Sequence, residues 1–284
     1  MLRHAFHAMG TEMELLLDAE SDGPLVEAEH ELRRLEALLS RFLPESELSR
    51  LNAAGALEVG PELLELVELA LAARERSGGR FDPTVHDALV RAGYDRSFEL
   101  LRVDAAVAES QGVRCGGGVE VDREAGRIAL ELGVRLDLGG IAKGWAADRV
   151  LASLSGWGPA LVNAGGDLAA AGAGWPVGVE TPAGTLTLAL ERGGLASSGR
   201  DRRRWERNGR EHHHLIDPAT GEAATGDVLT VTAAAGTAAE AEVLATSLFL
   251  AGTAERAAAE ADAEAIPAVI VGTNGETHLA GGLS

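Results

Sequence analysis

The order of apolar and polar positions divides the chain into strand-like and helix-like stretches. Residues 2–18 read as a strand pair, with Met9-Gly10-Thr11-Glu12 interrupting the apolar pattern and Met13-Glu14-Leu15-Leu16-Leu17 resuming it. After Pro24, the three- and four-residue spacing of Leu25, Ala28, Leu32, Leu35 and Leu39 predicts an amphipathic helix to about residue 39. Ser46 is placed to cap a short helix ending at Asn52. Pro61 opens a stronger helix carrying Leu63, Leu64, Val67, Ala70 and Leu71, which stops at Gly78-Gly79. From Val119 the pattern changes to short strands between Gly-rich turns, at 119–121, 127–130 and 134–138. Gly139-Gly140 then leads into a helix over 141–154. Strands follow at 159–163, 167–171, 176–180, 186–190 and 194–198. Thr237-Ala238-Ala239-Glu240 is a capping-box pattern opening a helix to about residue 250, and a helix over 253–264 precedes two closing strands. Strands cluster mid-chain with helices around them. This predicts an α+β fold, a central and mainly antiparallel sheet with flanking helices, rather than regular βαβ alternation.

Composition narrows the classes. At 284 residues and 46% hydrophobic the chain can bury a sizeable core, as one large domain or two joined halves. No repeat, low-complexity linker or boundary divides it, so one domain over 1–284 is expected. The net charge of −19 argues against nucleic acid as a partner, because phosphate contacts need clustered Lys and Arg. The one basic run, Arg200 to Arg210, is diluted by Asp201 and Glu206; it reads as a solvated hairpin, with an anion-binding patch as the alternative. Cys115 is the sole cysteine, so there is no disulfide framework and no Cys-based metal cluster. The start lacks a charged segment followed by an apolar run of roughly 7–15 residues. No window reaches the ~18 apolar residues of a membrane span. A cytoplasmic protein without a membrane segment is expected.

Candidate chemistry concentrates in a few segments. His212-His213-His214-Leu215-Ile216-Asp217-Pro218-Ala219-Thr220-Gly221 runs an imidazole cluster into a rigid turn, which can hold a proton acceptor in place near neutral pH. In an extended segment His212, His214 and Ile216 would share one face and His213 the other. Leu136-Asp137-Leu138-Gly139-Gly140-Ile141-Ala142-Lys143-Gly144-Trp145 puts two glycines at a strand-to-helix junction, where free N–H groups favour phosphate or a tight turn forms. It is neither a Walker A loop nor a three-glycine dinucleotide fingerprint. Asn163-Ala164-Gly165-Gly166-Asp167 reads as a hairpin turn, and Asp82 in Phe81-Asp82-Pro83-Thr84-Val85 as a cap for the following helix. Glu242 and Thr246, four apart on one helix, project oxygens from one face; spacing alone favours an exposed helix glutamate and a threonine back-bonded to its own helix, with a hard divalent cation, which prefers such oxygens, as the alternative. Glu240 belongs to the capping box.

Taken in order, Met9-Gly10-Thr11, Ser46 to Asn52, Phe81 to Val85, Asp137 to Gly144, Asn163 to Asp167, Ala196-Ser197-Ser198-Gly199, His214 to Gly221 and Ala241 to Thr246 resemble the signature segments of the FAD:protein FMN transferase (ApbE) family. The likeness runs from about residue 9 to residue 250. The D-L-G-G-I-A-K-G and H-x-I-D-P-x-T-G segments are its specific parts. It implies an ApbE-like fold and an enzyme that cleaves the pyrophosphate of FAD, its substrate. The FMN half passes to a Thr or Ser hydroxyl of an acceptor protein and AMP is released, with magnesium, or manganese in its place, as the bound ion. By the same resemblance His214 is the catalytic base, and the Ala142 carbonyl, Glu242 and Thr246 form the metal shell. Met9, Phe42, Arg80, Phe81, Asp82, Gly139, Trp145 and Ile216 fall where the family contacts FAD, and Asp217 holds the turn. The chain departs from the family in carrying Glu242 where Asp is usual and His86 where Gly is usual. It also shows no lipid anchor, unlike many members. Two other readings stay open on sequence: an FAD pyrophosphatase yielding FMN and AMP, and a non-catalytic FAD-binding protein.

Overall fold

Met9 and Gly10 both adopt positive φ, 53° and 66°, and this two-residue turn folds the first apolar stretch back on itself. The result is the hairpin of β1 (Leu2–Ala8) and β2 (Thr11–Leu17), paired from Leu2↔Leu17 to Ala8↔Thr11. A computed structural model describes residues 1–98, 113, 115–201, 203–207 and 210–283. After the hairpin come α1 (Gly23–Leu39), α2 (Glu47–Ala54), β3 (Ala56–Glu58), α3 (Pro61–Arg76), α4 (His86–Ala92), β4 (Val119–Asp122) and β5 (Arg127–Leu130). The middle holds α5 (Ala142–Leu154), β6 (Ala160–Ala164), β7 (Asp167–Thr181), β8 (Gly184–Gly199), β9 (Arg204–Arg207), β10 (Arg210–His213), β11 (Ile216–Asp217) and β12 (Glu222–Ala223). The chain closes with β13 (Val228–Ala235), α6 (Ala238–Phe249), α7 (Ala254–Ala263), β14 (Ala268–Gly272) and β15 (Thr277–Ala280).

These elements form two compact units, one of residues 1–35, 141–199 and 225–284, the other of residues 36–140 and 200–224. In the first, eight strands make one sheet in the order β1-β2-β6-β7-β8-β13-β14-β15, every neighbouring pair antiparallel. The α+β architecture with a central antiparallel sheet is therefore the one the sequence predicts. Along β2, Met13, Leu15 and Leu17 are fully buried, while Leu16 joins the opposite-facing cluster of Leu161, Leu168, Trp175, Leu190 and Leu195. Period-two alternation thus gives apolar groups to both faces of the sheet. The expected stripe of α1, Leu25, Ala28, Leu32, Leu35 and Leu39, is buried throughout. Helices α5, α6 and α7 pack on the sheet, with α6 also against both α5 and α7.

The second unit carries α2, α3 and α4, the three-stranded sheet β3-β5-β4 and the short ladders β9/β10 and β11/β12. The expected hairpin over 200–210 is present as β9 and β10; Arg202, Asn208 and Gly209 of that basic run lie outside the described residues.

Several expectations need correction. The segments 167–171 and 176–180 are parts of one strand, β7, and 186–190 and 194–198 are parts of another, β8. The register shift between Ala171 and Trp175 is the irregularity that sequence pattern reads as a break. Residues 134–138 join no ladder. There the Asn52 side chain stands in for a neighbouring strand, Nδ2 donating to the Leu136 carbonyl at 2.8 Å and Oδ1 accepting the Leu136 N–H at 2.7 Å. Asn52 accordingly does not end α2, which runs on to a left-handed Gly55. In α3 the buried set is Leu63, Leu66, Val67, Ala70 and Ala73, so Leu66 and Ala73 take the places expected for Leu64 and Leu71.

Candidate functional site

In the first unit, α5 and α6 meet at a glycine. A Cβ on Gly144 would lie 2.5 Å from the Ala238 carbonyl oxygen, so only glycine permits this approach. The start of α6 is fixed three times over: Thr237 Oγ1 accepts the Glu240 N–H at 3.1 Å, and Asp148 of α5 accepts the Ala238 and Ala239 N–H groups at 2.8 and 3.0 Å. Both observations bring the face of α6 bearing Glu242 against α5. Glu242 Oε2 accepts the Gly144 N–H at 3.0 Å, and Oε1 is ion-paired with the Lys143 ammonium.

The same ammonium lies 2.7 Å from Asp167 Oδ2 at the start of β7. Asp167 is delivered by the turn after β6, where Gly165 has φ 69° and a Cβ on it would strike the Thr11 hydroxyl at 2.0 Å. The Asn163, Gly165 and Asp167 of one motif and the Thr11 of another therefore meet for a packing reason. Both carboxylates are only 4% exposed, giving one partly buried ammonium between two buried acids. Burial and the neighbouring Asp167 charge push the Glu242 carboxyl up to about 7, against the opposing pull of Lys143. One turn after Glu242, Thr246 Oγ1 lies 3.0 Å from the Ser198 hydroxyl on β8. Ala142 is the first residue of α5.

The second unit assembles a different set. Phe42 and Ile216 share one cluster with Leu89, Tyr94 and Trp205. The Arg41 guanidinium sits 4.2 Å from the centre of the Phe42 ring and 4.7 Å from that of Tyr94, and pairs with Asp137 at 2.5 Å. Aromatic contacts continue from Tyr94 to Trp205 at 5.6 Å and from Trp205 to His212 at 6.3 Å, the last nearly parallel. Asp137 Oδ1 also accepts the Gly139 N–H at 2.8 Å, shaping the turn before α5. Asp82 caps no helix. Its Oδ1 accepts both the N–H and the hydroxyl of Thr84, at 2.8 and 2.7 Å, while α4 begins at His86 without a side-chain cap. Arg74 reaches Asp82 Oδ2 at 3.4 Å and the Gly116 carbonyl at 2.7 Å, so this carboxylate is braced from two sides. The Phe81 N–H, next to Arg80, donates to the Ser77 hydroxyl at 3.0 Å.

The histidine run departs from simple alternation. Only His212 and His213 lie in β10, and the chain leaves the strand at His214 before β11 begins at Ile216. His213 is the buried imidazole, accepting the Leu215 N–H on Nδ1 and donating from Nε2 to the Ala224 carbonyl at 3.0 Å. Asp217 holds the following turn: its side chain accepts the Ala219 N–H and its carbonyl the Thr220 and Gly221 N–H groups. His86 turns its Nδ1 toward Asp87, 2.8 Å away, which also pairs with Arg135.

The structure thus groups Ala142, Glu242 and Thr246, with Met9 and Trp145, in the first unit, and Phe42, Arg80, Phe81, Asp82, Gly139, His214 and Ile216 in the second. Lys143, Asp167 and Ser198 at the oxygen-rich site, and Arg41, Arg74 and Thr84 in the second unit, were not singled out from sequence. The first three and Thr84 stand inside quoted motifs, but what assigns them is convergence in space.

The fold and site define an α+β protein built on one large antiparallel sheet, with two buried carboxylates gathered on one ammonium. Within that class the family is specific: the ApbE family model matches residues 9–270, and the chain belongs to the ApbE family. An FAD:protein FMN transferase of Treponema pallidum is 33% identical over 263 residues, covering 82% of this chain and 73% of that protein. One from Haemophilus influenzae is 27% identical over 258 residues, covering 83% and 75%. Among solved structures, the ApbE protein of Thermotoga maritima superposes with a TM-score of 0.87 at 27% identity, covering 98% of this chain and 96% of that one. The apo flavinyl transferase ApbE of Pseudomonas stutzeri gives 0.83 at 25% identity, covering 98% and 95%.

Proposed function

We propose that this protein is a magnesium-dependent FAD:protein FMN transferase, moving the FMN half of FAD onto a Thr or Ser hydroxyl of an acceptor protein and releasing AMP. The observation that carries this reading is the buried Glu242 carboxylate one helical turn before Thr246, in a chain of this family. The donors there are all oxygen and the surrounding charge is net negative, which fits a hard divalent cation such as magnesium or manganese. Glu242, Thr246 and the Ala142 carbonyl would hold it. When bound, such a cation supplies positive charge against the pyrophosphate as phosphoryl charge develops. In this reading His214 takes the proton from the acceptor hydroxyl, a poor nucleophile until deprotonated. Met9, Phe42, Arg80, Phe81, Asp82, Gly139, Trp145 and Ile216 bind FAD; large flat apolar groups such as Phe42 and Phe81 suit an isoalloxazine ring. The bracing of Asp82 by Arg74 and Thr84 keeps that carboxylate in one orientation.

The test is incubation with FAD, magnesium and a candidate acceptor, with AMP and protein-bound flavin fluorescence measured together. Transfer yields both, in equal amounts and only when acceptor is present. AMP with free FMN and no acceptor requirement would replace transfer by pyrophosphate hydrolysis, and absence of both products would leave a binding protein.

A further inference from the structure

Glu242 has two carboxylate oxygens with different freedom. Oε2 is tied to the Gly144 N–H across a helix contact in which Gly144 has no room to move, since Ala238 backbone atoms lie within 2.6 Å of where its Cβ would be. Oε1 faces the Lys143 ammonium. With Oε2 already accepting one N–H, Oε1 is the freer oxygen for a divalent cation on Glu242, and Lys143 already holds it. Two cations sharing that oxygen repel each other, and so little of the site is open to water that the repulsion is weakly screened: Lys143 is 14% exposed and both acids less. The lysine stem, by contrast, has four rotatable bonds and can retract. Asp167 adds to the effect, because its Oδ2 holds the same ammonium from the other side.

We propose that Lys143 is a resident competitor for the divalent cation: its ammonium offsets one of the two negative charges of Asp167 and Glu242, and must give up Glu242 Oε1 before the cation binds. The inference rests on Glu242 being a metal ligand, as proposed above. It also gives each of the two buried carboxylates a cationic partner, since unpaired buried charges are strongly disfavoured. Metal affinity is then set partly by Lys143, a residue that need not touch the metal.

Mn2+ binding to the FAD-free protein tests this, with free Mn2+ measured by electron paramagnetic resonance. Lys143→Met keeps the apolar stem and removes the competing charge, so it should bind Mn2+ more tightly, by about tenfold or more, the scale on which one adjacent charge shifts ionic equilibria. Lys143→Arg, which keeps the charge, should stay near the unaltered protein. A folded Lys143→Met protein that binds Mn2+ equally or more weakly overturns the proposal. If Lys143→Met fails to fold, Lys143→Gln makes the same comparison with a neutral hydrogen-bonding group. Adding Glu242→Ala to Lys143→Met separates the two levels. Loss of Mn2+ binding in that double variant upholds the ligand assignment, whereas binding as tight as in Lys143→Met places the cation elsewhere and removes both. Unchanged affinity in Lys143→Met, with loss in the double variant, removes the competition alone.

Discussion

His213 and His214 show how neighbouring residues of one type acquire different chemistry. Strand alternation would pair His214 with His212, but the strand ends at His213, whose two nitrogens are already committed to Leu215 and Ala224. That leaves His213 no lone pair for an acceptor hydroxyl, and gives it a structural role the sequence pattern does not reveal. His214→Ala should lower flavin transfer by about 10²–10⁴-fold, the range for a positioned general base, with FAD binding by fluorescence titration largely kept. His213→Ala should instead destabilise by about 1–3 kcal/mol in urea unfolding, through the backbone groups it leaves unpaired. Equal loss of transfer and of FAD binding in His214→Ala would remove it as the base. Cys115 offers a second residue-level check. Burial, reinforced by the Asp82 charge, pushes its thiol up to about 11, so its thiolate fraction near pH 8 is roughly a hundredfold below that of an ordinary cysteine. Iodoacetamide alkylation should be slow and climb about tenfold per pH unit without levelling off below pH 10; a plateau nearer pH 9 would contradict the burial.

Among the elements, those with strong periodicity or explicit caps were legible. The stripe of α1 is buried position for position, and the caps Ser46 and Thr237 both accept the expected N–H groups. Elements whose partners are side chains were not. Residues 134–138 carry a strand pattern, yet their hydrogen bonds go to Asn52 and to the Pro83 carbonyl, and nothing local to either segment announces the pairing. The α5–α6 contact is the element on which the oxygen site depends. Gly144→Ala inserts a methyl group where 2.5 Å is available, so the helices must separate. A loss of about 1–3 kcal/mol in urea unfolding is expected, together with weaker Mn2+ binding, because Glu242 loses its Gly144 N–H. An alanine variant with unaltered stability would mean that the approach of the two helices is looser than the backbone geometry states.

For the whole molecule, connectivity explains the two units. Neighbouring strands β2 and β6 are separated by a long excursion of chain, as are β8 and β13, and these excursions supply the second unit, residues 36–140 and 200–224. Among the described residues no helix is long and apolar enough to cross a membrane. If the buried oxygen site holds a divalent cation only in the folded state, mass action stabilises the whole fold. Magnesium at about 100 times its Kd should raise the unfolding free energy by about 2.7 kcal/mol, read as a rise in Tm, and Glu242→Ala should abolish that increment. An equal magnesium effect in Glu242→Ala would place the cation elsewhere. The sequence by itself determined the α+β class, most helices with their caps, the glycine turns and the family, because these depend on local periodicity, backbone preference and motif order. Only the tertiary structure decided that Lys143 lies between Asp167 and Glu242, that Asn52 replaces a strand and that His213 is buried. Each of these depends on which distant residue arrives at a given point, and on how few partners a buried charge or backbone group can accept there.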